Sequence, residues 1–198
     1  HGSALPPGTV LVANWAATNG LVLADAYYHL TAVLLDGSSA GTFGPGSNLF
    51  AYGFDPTTND HQIVASFGEN LATNGTPEWW LAAHGWTNDF DPRAMADQDG
   101  DGIPSWGEYR AGTDPTDRAS VFRVIDASAE AGFGGQIIRW SSISGRTYSV
   151  FWASNLTPAV FWPLTNGLAA TPTENVYTDA IPLDGAARFY RVAVTNQP

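Results

Sequence analysis

Residues 97–108 read DQDGDGIPSWGE, near the middle of a chain of 198 residues. Asp97, Asp99 and Asp101 alternate with other residues, Gly102 follows the third aspartate, and Glu108 closes the run. Carboxylates this close repel one another, so the run is either a solvated loop or a loop wrapped around a cation. In both cases it interrupts regular structure. The chain before it and after it reads as short strands, so the stretch divides a mainly β protein into an N-terminal and a C-terminal part.

On the C-terminal side, SVFRVID, GQIIRWSS, RTYSVFWAS, ENVYTDA and RFYRVAV are strand-like runs between residues 120 and 194. GFGG, ISGR, NLTPA, TNG and PLDG separate them as turns. Many short strands in so little chain predict an antiparallel β-sandwich over 118–198, of the fibronectin III or immunoglobulin-like kind. On the N-terminal side, TVLVANW (9–15) predicts a strand and ATNG (17–20) a turn. From Leu21 to Leu35 every even position is apolar: Val22, Ala24, Ala26, Tyr28, Leu30, Ala32 and Leu34. That period of two predicts extended chain, with a helix as the alternative. DGSSAGTFGPGSN (36–48) is a loop, and LFAYGF and HQIVASF are further strands about the turn DPTTND. Residues 1–75 thus read as an N-terminal β-rich domain, and 76–117 as a short helical joint. Thr76 and Pro77 predict a helix start, with an end near Gly85. SWGEYRAG predicts a second helix, stopped at Gly112. TDPTD (113–117) reads as a turn, with Asp114 and Asp117 capping it in preference to holding a second ion.

Composition limits the function classes. The formal net charge is −11, and all eight basic residues are arginine. Nucleic acid and anionic membrane are therefore excluded as expected partners. The absence of cysteine removes disulfides, thiolate metal sites and cysteine catalysis. No apolar run reaches the roughly 18 residues of a membrane span. No signal peptide is visible, and the His1-Gly2-Ser3 start reads as a processed end or a tag remnant.

Numbered from Asp97, the acidic run supplies carboxylates at positions 1, 3, 5 and 12 with glycine at 6, the pattern of a calcium loop. The spacing has a physical basis. Alternate side chains converge when the chain wraps an ion, glycine permits the sharp turn, and a glutamate on the exit helix can bind through both oxygens. The candidate Ca²⁺ ligands are Asp97, Asp99, Asp101, the Ile103 carbonyl, Ser105 directly or through water, and Glu108. The helices on either side are too short for a sensor that swings, so a structural ion is expected.

The segment DQDGDGIPSWGEYRAGTDPTD resembles the thrombospondin type 3-like and dockerin-like calcium repeats of secreted bacterial proteins. In those proteins a similar block follows a short tryptophan-bearing helix and precedes a C-terminal β-sandwich, as residues 76–198 do. The resemblance implies an extracellular or cell-surface location, a stalk or accessory role, and Asp97, Asp99, Asp101, Ser105 and Glu108 as ligands. A dockerin carries two such loops and this chain one, so a cohesin partner is not implied. Nothing in residues 1–75 resembles a known family.

No hydrolase motif is present: neither G-x-S-x-G nor H-E-x-x-H occurs. A copper site built on His1 lacks a motif for its second histidine among His29, His61 and His84, and Asp60-His61 reads as a solvated pair. Trp79, Trp80, Trp106, Trp140, Trp152 and Trp162 read as packing residues first and as a sugar-stacking platform second. Thr9, Val10, Leu11, Val12 and Ala13 lie in an uncharged stretch suited to pairing with the sheet edge of another subunit. The expectation is a non-catalytic extracellular building block that assembles with itself or with surface proteins and glycans. The alternative is a carbohydrate-binding accessory module of a larger secreted enzyme.

Overall fold

The computed structural model describes residues 1–9, 11, 16–56, 59–129, 135–181 and 187–195. The protein is mainly β, and the chain divides into two compact units, His1–Asp91 and Pro92–Pro198. The 76–117 stretch expected as a joint is shared between them. Its first helix lies in the first unit, and the acidic loop with its exit helix lies in the second.

The first unit holds two antiparallel three-stranded sheets. One has the order β1-β2-β5, from Gly2–Leu5, Thr18–Ala24 and Leu49–Phe54. The other has the order β4-β3-β6, from Ser38–Ser39, Tyr28–Leu35 and Ile63–Glu69. Val22, Leu30 and Val33 are sealed between them with Phe43, Phe50, Tyr52 and Phe67 packed around.

The long extended run expected from 21 to 35 is two strands. The chain reverses between Ala24 and Tyr28, with Tyr27 in the left-handed region at φ 67°. The even-position rule also fails beyond Leu30. The β3–β6 register shifts between Leu30 and Ala32, and this bulge moves the buried parity to Val33 and Leu35. ATNG is not a turn, because Thr18, Asn19 and Gly20 open β2. Gly20 is needed there because a Cβ would collide with the Leu5 carbonyl and the Tyr52 hydroxyl, which donates to that carbonyl at 3.3 Å. The strand expected at 9–15 is not seen where the chain is described. Thr9 and Leu11 are exposed and outside any strand, and Val10, Val12 and Ala13 lie outside the described residues. The N-terminal strand is Gly2–Leu5 instead, paired antiparallel with β2.

Helix α1 (Glu78–Ala83) has Pro77, not Thr76, at its N-cap. The Thr76 hydroxyl donates to Asn74 Oδ1 at 2.8 Å. Asp36 and His61 form a pair the sequence did not suggest. The His61 ring, stacked on Phe54, lies 2.7 Å through Nδ1 from Asp36 Oδ2. The Gln62 backbone N–H, then the His61 ring, hold the Asp36 carboxyl below its ordinary value of 3.8. A lowered folded-state pKa contributes stability above the unfolded value and loses it as pH falls through the folded one. Asp36→Asn should therefore melt below the parent at neutral pH and converge with it under acid. Parallel thermal melts check this, and a gap that persists in acid contradicts it.

The second unit begins with α2 (Phe90–Met95), which spans the division between the units, and α3 (Ser105–Ala111). Pro92 stands in the first turn of α2, where no helical N–H is required. Gly112 ends α3 as expected, at φ 81°. Among the described residues six strands follow: β7 (Val124–Ala129), β8 (Gln136–Ser141), β9 (Thr147–Ala153), β10 (Trp162–Ala169), β11 (Glu174–Asp179) and β12 (Phe189–Val194). They form two antiparallel sheets of order β11-β8-β7 and β10-β9-β12. The middle strand of each sheet supplies the core: Ile138 and Trp140 from β8, Tyr148 and Val150 from β9, all fully buried. Strand β10 escapes sequence reading because TNG lies inside it. Its pairing with β9 shifts register twice, and Gly167 takes φ 68°, so the glycine marks an irregular strand and not a turn.

Among the described residues no helix is long and apolar enough to cross a membrane.

Candidate metal centre

The acidic loop folds through its own carboxylates. Asp97 accepts the Gly100 N–H through Oδ1 and the Gly102 N–H through Oδ2, each at 2.8 Å. Asp99 Oδ1 accepts from the Asp101 N–H at 3.1 Å, and Asp101 Oδ1 from the Ile103 N–H at 2.7 Å. Gly102 takes φ 100°, which L side chains rarely adopt. Wrapped this way, one oxygen from each of Asp97, Asp99 and Asp101 comes within 4.8 Å of the others.

Asp99 and Asp101 each bind the loop backbone through one oxygen and leave the other buried without a hydrogen-bond partner. Glu108, on α3, is near enough to feel the charges of Asp99 and Asp101 but is not among the residues whose oxygens lie within 4.8 Å of one another. Its side chain is fully buried, Oε1 accepts from the Thr113 hydroxyl at 3.3 Å, and Oε2 has no partner. Burial, then the charges of Asp99 and Asp101, push the Glu108 carboxyl up to about 7. In contrast, the Gly102 backbone N–H heads the causes that hold Asp97 below the ordinary carboxylate range. Buried carboxylates without partners are costly. Their spare oxygens form an all-oxygen set that suits a hard cation.

The other expected ligands are less directly placed. Ser105 is buried and donates its hydroxyl proton to the Ala96 carbonyl at 3.2 Å, which leaves its lone pairs as what it can offer a cation. Ile103 gives its N–H to Asp101, as a residue at this point of a wrapped loop does. Asp114 Oδ1 accepts from the Thr116 N–H and hydroxyl, and Asp117 Oδ1 from the Ala119 N–H. Both therefore cap the turn, as expected.

Sequence reading missed Arg146. It follows the Gly145 turn and donates Nε to the Arg110 carbonyl at 2.8 Å and Nη2 to the Tyr109 carbonyl at 2.9 Å. A cation at a helix C-terminus meets the carbonyls left open there. Arg146 thus fastens α3, which carries Glu108, to the turn between β8 and β9.

No protein-family model, curated protein or solved structure matches this chain. The thrombospondin type 3-like and dockerin-like resemblance rests on the loop residues and their spacing alone.

The remaining expected constellations are dispersed. His1 stacks on Tyr28 at 4.2 Å, with its amine 3.8 Å from Asp25. His61 pairs with Asp36 and not with Asp60. His84 meets Trp80, and His29 Nδ1 lies 2.8 Å from Asn70 Oδ1. Trp140 is completely buried and so belongs to the core and not to a sugar platform.

The charge arrangement predicts an unusual phenotype for Glu108→Gln. Without divalent ions the change removes a buried carboxylate that the charges of Asp99 and Asp101 oppose, while its amide oxygen can still accept from Thr113. At about pH 8 in chelator the variant should be more stable than the parent by about 1–3 kcal/mol. It should gain little from calcium. Denaturant titrations with and without calcium test both halves, and a variant that responds to calcium like the parent contradicts the assignment.

Proposed function

We propose that this protein is a non-catalytic, calcium-stabilised structural building block that works outside the cell. The observation that carries the reading is the fully buried Glu108, whose Oε2 has no partner and whose carboxyl is raised by the charges of Asp99 and Asp101, themselves with spare buried oxygens. Ca²⁺ offsets those charges, with Asp97, Asp99, Asp101 and Glu108 as side-chain ligands and the Ile103 carbonyl and Ser105 completing the set. The ion stiffens the loop, and through the Arg146 contacts it steadies α3 on the C-terminal β-sandwich. The first, second and fifth strands of that unit form one sheet and the third, fourth and sixth the other. This distribution supports a fibronectin III or immunoglobulin-like assignment. Calorimetric titration with calcium tests the reading. One ion should bind per chain, and Asp99→Ala should abolish binding. Absence of binding in the parent overturns it.

The second part of the reading is assembly with other copies or with surface proteins through strand pairing. It is supported by exposed Thr9 and Leu11 in an uncharged stretch and by the edge positions of β7, β10, β11 and β12 in their three-stranded sheets. Deleting residues 9–14 keeps β1 and removes the arm. Light scattering in calcium should show large species for the parent and monomer for the deletion. A parent that stays monomeric when concentrated, or a deletion that assembles equally well, overturns this part.

A further inference from the structure

Strand β12 carries an arginine held between two aromatic rings. The Arg191 guanidinium carbon lies 4.8 Å from the centroid of the Phe151 ring and 4.7 Å from that of Phe161. Phe151 is its register partner on β9, and Phe161 stands just ahead of β10. Val150 lies in the core and its partner Val192 packs against it. The neighbouring pair, Phe151 with Arg191, therefore faces away from the core, since successive side chains alternate across a sheet. We propose that this clamped arginine is the docking point for carboxylates on the first unit of a second copy of the chain. The proposal rests on the assembly reading above and adds a contact to it.

Arg191 differs from its neighbours. Arg139 pairs with Glu174, Arg188 with the buried Asp179, and Arg146 with two helix-end carbonyls. Arg191 is exposed, and among the described residues its guanidinium has neither a hydrogen bond nor an ion pair. The rings attract its charge but leave its N–H edge to an oxygen acceptor. A free arginine gives up about 2 kcal/mol of rotamer entropy when it is fixed. A fork already held by two rings has met part of that cost before a partner arrives. Its edge matches a carboxylate through paired hydrogen bonds. The chain around it adds apolar surface: Leu156, Val160 and Trp162 are all exposed. Arginine and tryptophan beside exposed apolar groups are the composition of interface centres.

Charge identifies the occupant. Residues 1–91 hold eight acidic residues and no lysine or arginine, and all eight arginines lie in 92–198. Asp25, Asp36, Glu69 and Asp91 of the first unit each have a partner within it. Asp55, Asp60 and Asp89 are exposed, and among the described residues none of them has a hydrogen bond or an ion pair. These three are the carboxylates offered to Arg191 of another copy. Whole copies carry a formal charge of −11 and repel at a distance. At about 0.15 M salt that repulsion is screened within roughly 8 Å, while a pair in contact survives. A fork on one unit and its carboxylates on the other make a head-to-tail contact, the kind that propagates when it does not close. Strand β12 is also an edge of its sheet, so strand pairing and the charged contact can use one sheet.

The test uses the full chain in calcium at about 0.15 M salt, with sedimentation velocity reading the association constant. The parent should associate, and Arg191→Ala should weaken association by about tenfold or more, as for an arginine at an interface centre. Arg191→Lys keeps the charge and loses the fork, so it should also weaken association, and it reports even where alanine loosens the sheet. Changing Asp55, Asp60 and Asp89 together to Asn should match Arg191→Ala, and combining all four changes should cost little more. Arg118→Ala removes an exposed arginine outside the clamp and should leave the parental value. Parental association in both Arg191 variants overturns the proposal, and strand pairing still stands if deletion of residues 9–14 gives monomer. A deletion that assembles while Arg191→Ala does not supports the charged contact and removes strand pairing. A parent that stays monomeric when concentrated overturns both. Oligogalacturonate that binds a monomeric parent through Arg191 gives the fork to an acidic glycan and overturns the second-copy proposal.

Discussion

Trp140→Ala lowers the stability of the C-terminal unit by about 3–5 kcal/mol, the range for removing a large aromatic from a packed core. Trp140 is fully buried in the middle strand of its sheet, and its ring meets Tyr148 of the other sheet edge-on at 5.7 Å. Tyr148 in turn stacks on Phe122 at 5.8 Å and accepts the Ile143 N–H at 2.9 Å. Truncation therefore opens a cavity between the two sheets where both middle strands lose contacts. Phe at the same position should cost much less than Ala. The indole Nε1–H has no hydrogen-bond partner, so Phe gives up ring area but no hydrogen bond. Urea titrations followed by tryptophan fluorescence compare the variants. An alanine penalty below about 1 kcal/mol, typical of surface changes, contradicts this account of the core.

On the proposed reading, calcium should raise the melting temperature of the parent protein by roughly 5–10 °C over chelator. An ion that binds only the folded chain adds about 2.7 kcal/mol at a hundredfold excess over its Kd. For a chain of this length each kcal/mol moves Tm by about 2–4 °C. The gain comes from offsetting the mutual repulsion of Asp99, Asp101 and Glu108, whose spare oxygens are buried. Asp99→Ala should reduce the calcium response to nearly nothing. Magnesium should give less than calcium at equal concentration, because it sheds its waters reluctantly and tolerates only a near-octahedral set. Scanning calorimetry in calcium, magnesium and chelator reads all three effects. An unchanged midpoint in calcium eliminates the structural-ion reading.

Much of the fold was legible before any coordinates. Strand-like runs between turn residues located β5, β8, β9, β11 and β12 to within a residue or two at most of their ends, because strand and turn composition are recorded locally. Gly112 marked the end of α3 for an equally local reason. The loop was legible because its carboxylates are neighbours in sequence. The spacing of Asp97, Asp99 and Asp101 already implies convergence, and their oxygens do lie together.

What sequence reasoning missed depends on residues far apart in the chain. Of the three Asn-Gly pairs, Asn19-Gly20 and Asn166-Gly167 lie in strands, and Asn74-Gly75 alone makes a turn. Gly20 is a glycine because Leu5 and Tyr52 approach it from other strands, and Gly167 because β10 pairs irregularly with β9. The bulge near Thr31 reversed the buried parity of β3, which no window on β3 alone contains, since its cause is the register with β6. Strand β1 has little strand propensity in Gly2-Ser3-Ala4-Leu5 and exists through its ladder with β2.

The sequence by itself determined the mainly β class and the identity and spacing of the loop carboxylates, since each is a pattern among near neighbours, while the division between the units falls ahead of the loop, after Asp91. Only the tertiary structure decided that Glu108 is fully buried and that Arg146 closes the end of α3. Burial and chain-distant hydrogen bonds are properties of packed elements, and no stretch of neighbouring residues carries them.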